Sequence, residues 1–227
     1  MTTLSIPQVV ELLEKNYGKR KLAANHNPVA ELVLTILSQN TSDANSRPAF
    51  QSLVERFPRW DDILAAQSAE IAETIRKGGL GLIKAQRLQK ALAEIKNRRE
   101  AIELDFLESM PLLAARAWLM ELPGVGYKTA NCVLLFALGR PALPVDTHIF
   151  RISKRLGLIP SGASLERAHE MLAGRVPDKL IYPFHVLMIE HGRRTCLAQR
   201  PRCPICFLRR ICRTGKARKM AGPDGES

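Results

Sequence analysis

The sequence predicts an all-α fold. Three observations carry that reading: apolar residues recur at three- and four-residue steps along most of the 227 residues, alternating runs long enough for a sheet are missing, and the joints between periodic segments are short and marked by Gly or Pro. With 46% hydrophobic residues the chain has enough apolar material for one large core or two smaller ones.

Taken in order, Val29, Leu32, Val33, Ile36 and Leu37 line one face of a helix, with Asn27 as its N-cap and Pro28 in its first turn. Phe50, Leu53, Val54 and Phe57 predict a second helix, and Leu88, Ala91, Leu92 and Ile95 a third. Ala130, Val133, Leu134 and Ala137 predict another, stopped by Gly139. Gly78-Gly79, Pro123-Gly124 and Gly157 punctuate the joints, for roughly ten helices in all. No repeat of solenoid period is present, and the segment 214–227, basic and then Gly/Asp/Ser-rich, reads as a disordered tail.

The formal charge of +12 is concentrated, because Gly192 to Met220 holds ten Arg or Lys and no Asp or Glu. Such a surface attracts polyanions, either nucleic acid or an anionic membrane. No apolar stretch approaches the ~20 residues that a membrane span needs, and the N-terminus lacks a basic region followed by an apolar run. The expectation is a soluble, unexported, cytoplasmic protein with no membrane partner.

In a reducing compartment disulfides are disfavoured, yet four of five cysteines crowd between Cys196 and Cys212. The spacing Cys196-x6-Cys203-x2-Cys206-x5-Cys212 supplies four thiolates, suited to either zinc or a [4Fe-4S] cluster. Cys132, inside an apolar helix, reads as packing. Arg209, Arg210, Arg213, Lys216, Arg218 and Lys219 are candidate phosphate contacts.

The segment Leu122-Pro-Gly-Val-Gly-Tyr-Lys-Thr-Ala130 lies between two helical patterns and predicts a helix-hairpin-helix. Its turn would present N–H groups of Gly124, Val125 and Gly126 to a phosphate at the positive end of the second helix. Neither nucleotide-binding glycine pattern fits it. Lys128 follows at the helix start, where the macrodipole and desolvation disfavour its ammonium form. Bringing a lysine from about 10.4 towards 7 to 8 requires on the order of 3 to 4 kcal/mol of differential destabilisation. Eighteen residues on, Val145-Asp-Thr-His-Ile-Phe-Arg151 puts Asp146 beside a helix start with Thr147 as cap and His148 and Arg151 nearby. Taken alone, Asp146 reads as a capping residue and Lys128 as a solvent-exposed one sooner than either reads as catalytic.

Together, LPGVGYKTA, VDTHIFR, the cysteine array, ILSQNTSD at 36–43 and GGLGLIKA at 78–85 resemble the helix-hairpin-helix DNA glycosylases, and most closely the endonuclease III family. The resemblance runs from Pro28 to Cys212. It implies two helical subdomains: a barrel at 24–135 containing the hairpin, and a second formed by 1–23 with 136–213 that carries a C-terminal [4Fe-4S] loop on Cys196, Cys203, Cys206 and Cys212.

The resemblance further implies a monomer acting on double-stranded DNA that contains damaged bases or abasic sites. Lys128 is then the Schiff-base lysine and Asp146 the catalytic aspartate of a bifunctional glycosylase and abasic-site lyase for oxidised pyrimidines. Asn40 and Leu80 align with residues that fill or wedge the gap left by the flipped base, Asn40 standing where Gln is more familiar. Gly124, Val125, Gly126, Thr147, His148 and Arg151 fall at DNA-contacting positions. A thymine or uracil mismatch glycosylase of the same fold, and a DNA-binding protein that uses the hairpin without catalysis, are the alternative expectations.

Overall fold

A computed structural model describes residues 5–220, and side chains up to residue 216. Twelve α-helices occur among them: α1 (Ile6–Tyr17), α2 (Pro28–Ser38), α3 (Asp43–Arg56), α4 (Trp60–Ala65), α5 (Ser68–Thr74), α6 (Gly81–Arg99), α7 (Leu112–Met120), α8 (Tyr127–Cys132), α9 (Thr147–Leu156), α10 (Leu165–Ala173), α11 (Ile181–Arg194) and α12 (Arg213–Met220). No strand occurs among the described residues, so the fold is all-α. No helix there is long and apolar enough to cross a membrane.

The chain forms two compact units. The first is Ala23–Ala142; the second combines the described parts of Met1–Leu22 and Leu143–Ser227.

In the first unit α2 is the central helix. Asn27 caps it, its Oδ1 accepting from the Ala30 N–H at 3.0 Å, and Pro28 opens its first turn. Its apolar face (Leu32, Val33, Ile36 and Leu37) is no more than 1% exposed and packs against α3, α6 and α8. Burying side chains of this kind stabilises by roughly 1.5–3 kcal/mol each. The long helix α6 adds Ala85, Leu88, Ala91, Leu92 and Ile95 to the same core. The helix expected at Ala130 to Ala137 is split: α8 ends at Cys132 and continues as a π-helical turn, Val133–Ala137, against α2. Cys132 is 3% exposed, in the packing role expected of it.

In the second unit α9, α11 and α1 form the packed centre. A capping box opens α1, with Ser5 Oγ accepting from Gln8 N and Gln8 Oε1 accepting from Ser5 N. Asp146, rather than Thr147, caps α9: its Oδ1 accepts from Ile149 N at 2.8 Å. Its short carboxylate reaches the amide of the third helical residue directly, which leaves Thr147 as the first residue of the helix. Gly157, at φ 82°, ends α9. The chain stays helical from Arg213, where the sequence reading places disorder from residue 214, because α12 packs on α9 and Gly215 N donates to Cys212 Sγ. Residues 221–227 of that tail, and the side chains of Arg218 and Lys219, lie outside the described set.

The crossing of α9 and α11 is close enough to need a glycine. A Cβ on Gly192 would sit 2.6 Å from His148 Nδ1 and 2.9 Å from His148 Cβ, inside van der Waals contact. Gly192→Ala is expected to force the helices apart at a cost of about 1–3 kcal/mol. The check is the urea unfolding midpoint, which should fall; an unchanged midpoint would refute the close crossing.

Candidate active site

The hairpin is anchored by its apolar residues and exposed at its glycines. Leu122 is 2% and Val125 6% exposed, and Val125 N donates to Leu122 O at 3.1 Å, so Val125 spends its own N–H within the turn. Gly124 takes φ 79°, in the left-handed region, and Gly126 is the N-cap of α8 with open space where a Cβ would stand. Beyond them the first turn of α8 presents N–H groups that intrahelical bonding does not use, at the positive end of the helix. Arg116, 8% exposed, fixes α8 against α7: Nε donates to Asn131 Oδ1 at 2.8 Å and NH1 to Tyr127 Oη at 2.6 Å.

Lys128 lies in that first turn, half-buried. A residue that sequence reasoning missed, Glu31 of α2, is electrostatically coupled to it. Glu31 is 8% exposed; its Oε2 accepts from Asn25 Nδ2 at 2.9 Å and its Oε1 from Thr35 Oγ1 at 3.3 Å. Burial pushes the Glu31 carboxyl above the ordinary glutamate range, and the two hydrogen bonds and the charges of Lys128 and Arg47 only partly oppose that. A carboxyl held towards its neutral form stabilises a neighbouring ammonium less than a carboxylate would. Glu31 occupies the third position past Pro28 on an apolar helix, and its polarity in that setting was the available signal.

Two exposed turns belong to the same unit. Asn40, at φ 54°, follows α2, and Leu80, at φ 51°, precedes α6; both are left-handed without being glycine. Leu80, Leu82 and Ile83 are 54%, 53% and 49% exposed and form an apolar tip. Gln39 ties the Asn40 turn to the hairpin, donating from Nε2 to Gly124 O at 3.1 Å and to Thr129 Oγ1 at 3.4 Å.

In the second unit Asp146 is half-buried with one carboxylate oxygen committed to the α9 cap. Thr147 is exposed. His148 packs against Gly192, and desolvation pushes its imidazole below the usual histidine range. Arg151 points towards the cysteine loop: its NH2 donates to Cys196 O at 2.9 Å and to Gly192 O at 3.2 Å. Arg155, one turn on, donates from NH1 to Leu197 O at 2.6 Å and to Cys196 Sγ at 3.2 Å.

Cys196, Cys203, Cys206 and Cys212 line one recess of this unit, beside Arg155, His191 and Gly215. Among the described residues no three Cys, His, Asp or Glu side chains converge as a single ion would need. The recess nonetheless offers four sulfurs with N–H groups aimed at them. Arg155 faces Cys196, Gly215 N donates to Cys212 Sγ at 3.4 Å, and His191 Nε2 stands 3.7 Å from Cys206 Sγ. Burial pushes His191 down to about 4, which keeps the ring neutral. Its Nδ1 stands 2.9 Å from Tyr17 Oη, and in the tautomer with the proton on Nε2 the ring N–H faces Cys206. Burial also pushes the Cys206 thiol up to about 11 and raises Cys212, so these sulfurs become thiolates only against a cationic centre.

Comparison with known proteins places this geometry. Residues 33–177 match the model of the HhH-GPD superfamily base excision DNA repair protein. Endonuclease III of Thermotoga maritima is 34% identical over 207 residues, 90% of this chain and 92% of that protein. An Arabidopsis thaliana protein is 40% identical over 162 residues, and the match spans 71% of this chain but only 55% of that longer one. A solved structure of a trapped endonuclease III–DNA covalent intermediate, an estranged-adenine complex, superposes with a TM-score of 0.80 at 34% identity, covering 96% of this chain and all of that one.

The raised Glu31 value has a testable sign. Between the ordinary glutamate value and the raised one, the folded state keeps a proton that the unfolded chain has lost, so stability falls as pH rises through that window. Glu31→Gln removes this slope. Unfolding curves from pH 4 to 8 should show wild type losing stability relative to the variant across the window and a constant difference above it; parallel curves throughout would contradict a perturbed carboxyl.

Proposed function

We propose a mechanism from one premise: the chain belongs to the HhH-GPD superfamily of base excision DNA repair proteins and, within it, to the endonuclease III family. The reading is a bifunctional DNA glycosylase and abasic-site lyase that acts on oxidised pyrimidines in duplex DNA. The observation that carries it is Lys128 in the first turn of α8, half-buried behind an exposed glycine hairpin and coupled to a buried carboxyl.

The backbone N–H groups of Gly124, Gly126 and the first turn of α8 take a DNA phosphate and position the duplex without reading its sequence, while the Val125 N–H stays within the turn. Asn40 and Leu80 occupy the space of the extruded nucleotide, whose unstacking costs a few kcal/mol. The Lys128 amine adds to C1′ as the bond from C1′ to the base breaks, and the base leaves with a proton. Asp146 is assigned to stabilising the positive charge that develops on the sugar and to accepting the proton that the nitrogen releases once the amine has bonded to C1′. The C1′–O4′ bond then breaks as O4′ takes a proton, which opens the sugar ring and leaves a protonated imine that acidifies C2′; loss of the C2′ proton and departure of the 3′ phosphate break the strand by β-elimination. Thr147, at the exposed start of α9, is assigned to the phosphate path, and Arg151 and His148 to holding α9 in place.

Cys196, Cys203, Cys206 and Cys212 fit a [4Fe-4S] cluster: four thiols line one recess, with N–H groups of Arg155 and Gly215 directed at the sulfurs of Cys196 and Cys212. When bound, the cluster supplies a covalent cross-link among four points of the chain and an electron-accepting centre. Arg209, Arg210, Arg213 and Lys216 flank it and are proposed to face the DNA backbone.

Two experiments test this reading. On a duplex with one abasic site, wild type is expected to nick the strand and to form a borohydride-stable adduct, and Lys128→Gln to lose both; undiminished trapping by the variant would remove Lys128 from the chemistry. The purified protein is expected to show a broad visible band with iron and sulfide, which Cys206→Ser should abolish. A colourless, active preparation holding stoichiometric zinc would overturn the cluster.

A further inference from the structure

The side chain of Lys84 is 1% exposed, and it is the largest of the fully buried ones. Its ammonium donates three hydrogen bonds of 2.7 Å, to Leu37 O, Thr41 Oγ1 and Gly78 O. Its partners are two carbonyls and a hydroxyl, not a carboxylate, and they use all three donors. Desolvation, assisted by the charge of Arg87, pushes the ammonium below the ordinary lysine range, so holding a cation here has an energetic cost that the three acceptors offset.

The position of those acceptors is the informative point. Leu37 and Thr41 bracket Asn40, and Gly78 precedes Leu80 by two residues. Leu37 O belongs to the last turn of α2, and Gly78 closes a single 3-10 turn, Arg76–Gly78, where carbonyls lack intrahelical partners. Thr41 Oγ1 also donates to Gly78 O at 2.5 Å, closing a ring of contacts around the ammonium. One turn along α6, Arg87 NH1 donates to Gln39 Oε1 at 2.8 Å, and Gln39 in turn holds the hairpin at Gly124 O. Both turns that carry left-handed residues are therefore tied to one face of α6.

We propose that Lys84 is a positioning residue: its ammonium fixes the Asn40 turn and the Leu80 turn at one spacing, so that the two side chains enter the duplex together. This rests on the DNA-wedging role assigned to Asn40 and Leu80 above. A side chain that merely filled the core would not need three donors, and a neutral one cannot supply them. Lys84 itself touches no DNA.

The test uses the full-length, cluster-loaded protein and two DNA duplexes, one with an abasic site opposite adenine and one with the same abasic nucleotide as a bulge with no opposing base. Lys84→Met, close in volume, is expected to slow single-turnover nicking of the first by about tenfold or more while leaving the second near the wild-type rate. A purely structural loss slows both alike, and an unchanged ratio of the two rates overturns the proposal. Thr41→Val, which removes one acceptor and the Thr41–Gly78 bond, should shift the ratio in the same direction by less; it decides the matter if Lys84→Met does not fold, and an unshifted ratio again overturns it.

A second readout separates this inference from the chemistry it rests on. With 2-aminopurine opposite an uncleavable abasic analogue, wild type and Lys128→Gln should both raise the fluorescence on binding, and Lys84→Met should not. If wild type nicks neither duplex, the catalytic reading fails, and the fluorescence still decides whether Lys84 sets the wedge. Full enhancement with bound Lys84→Met would show that it does not.

Discussion

A bundle of short helices leaves many backbone groups without intrahelical partners, because each end strands about four N–H or four C=O groups whatever the helix length. Twelve helices among the described residues therefore produce a large number of polar ends, and nearly every residue singled out above is attached to one. Asp146 caps α9, Gly126 caps α8 with Lys128 in the turn behind it, and the Lys84 ammonium meets a carbonyl from the last turn of α2. The same requirement to satisfy helix ends that stabilises the fold also places the reactive groups. Strain enters at these joints too: Asn40 and Leu80 hold left-handed conformations that cost of order 1–3 kcal/mol each, and only a network around them keeps such turns in place.

Within the second unit, α9 links two functions. Its N-terminus carries Asp146, while Arg151 and Arg155, four residues apart and so on one face, attach to the loop that begins at Cys196. The helix is also pressed against Gly192 of α11 and contacted by α12. A helix held at so many points has little freedom to tilt, so ordering of the cysteine loop and the orientation of the carboxylate are parts of one packing problem. In the first unit α2 has the corresponding role, with Glu31 near one end and Gln39 just past the other.

Much of this was legible in the sequence where the determinants are local. The Asn27-Pro28 start of α2, the stop at Gly157, the hairpin glycines and the cysteine spacing depend on residues a few positions apart. The fold class followed from the apolar period, the lack of long alternating runs and the short joints marked by Gly or Pro. What escaped was set by distant contacts. Lys84 falls on the periodic face of α6 with Ala85 and Leu88, but nothing in its neighbourhood announces that its three acceptors come from 6, 43 and 47 residues away. Glu31 bonds to residues close in sequence, but its coupling to Lys128 joins positions far apart in the chain. Arg151 falls at a DNA-contacting position by the family resemblance, and the carbonyls that hold its guanidinium lie more than forty positions further on. The cap at Asp146 shows the limit of local rules, since Asp and Thr both satisfy them and the backbone had to choose.

The apolar tip formed by Leu80, Leu82 and Ile83 has a thermodynamic consequence. Each of these side chains is about half exposed in the free protein and organises hydration water, which the wedging role proposed above for Leu80 would release as the tip enters the duplex. Grip on the phosphates is ionic and fades with salt, whereas this insertion carries a negative heat-capacity change and strengthens on warming within the ordinary range. Temperature and ionic strength thus act on two separate parts of the encounter: salt governs how long the protein stays on any stretch of DNA, and temperature governs how readily it opens one.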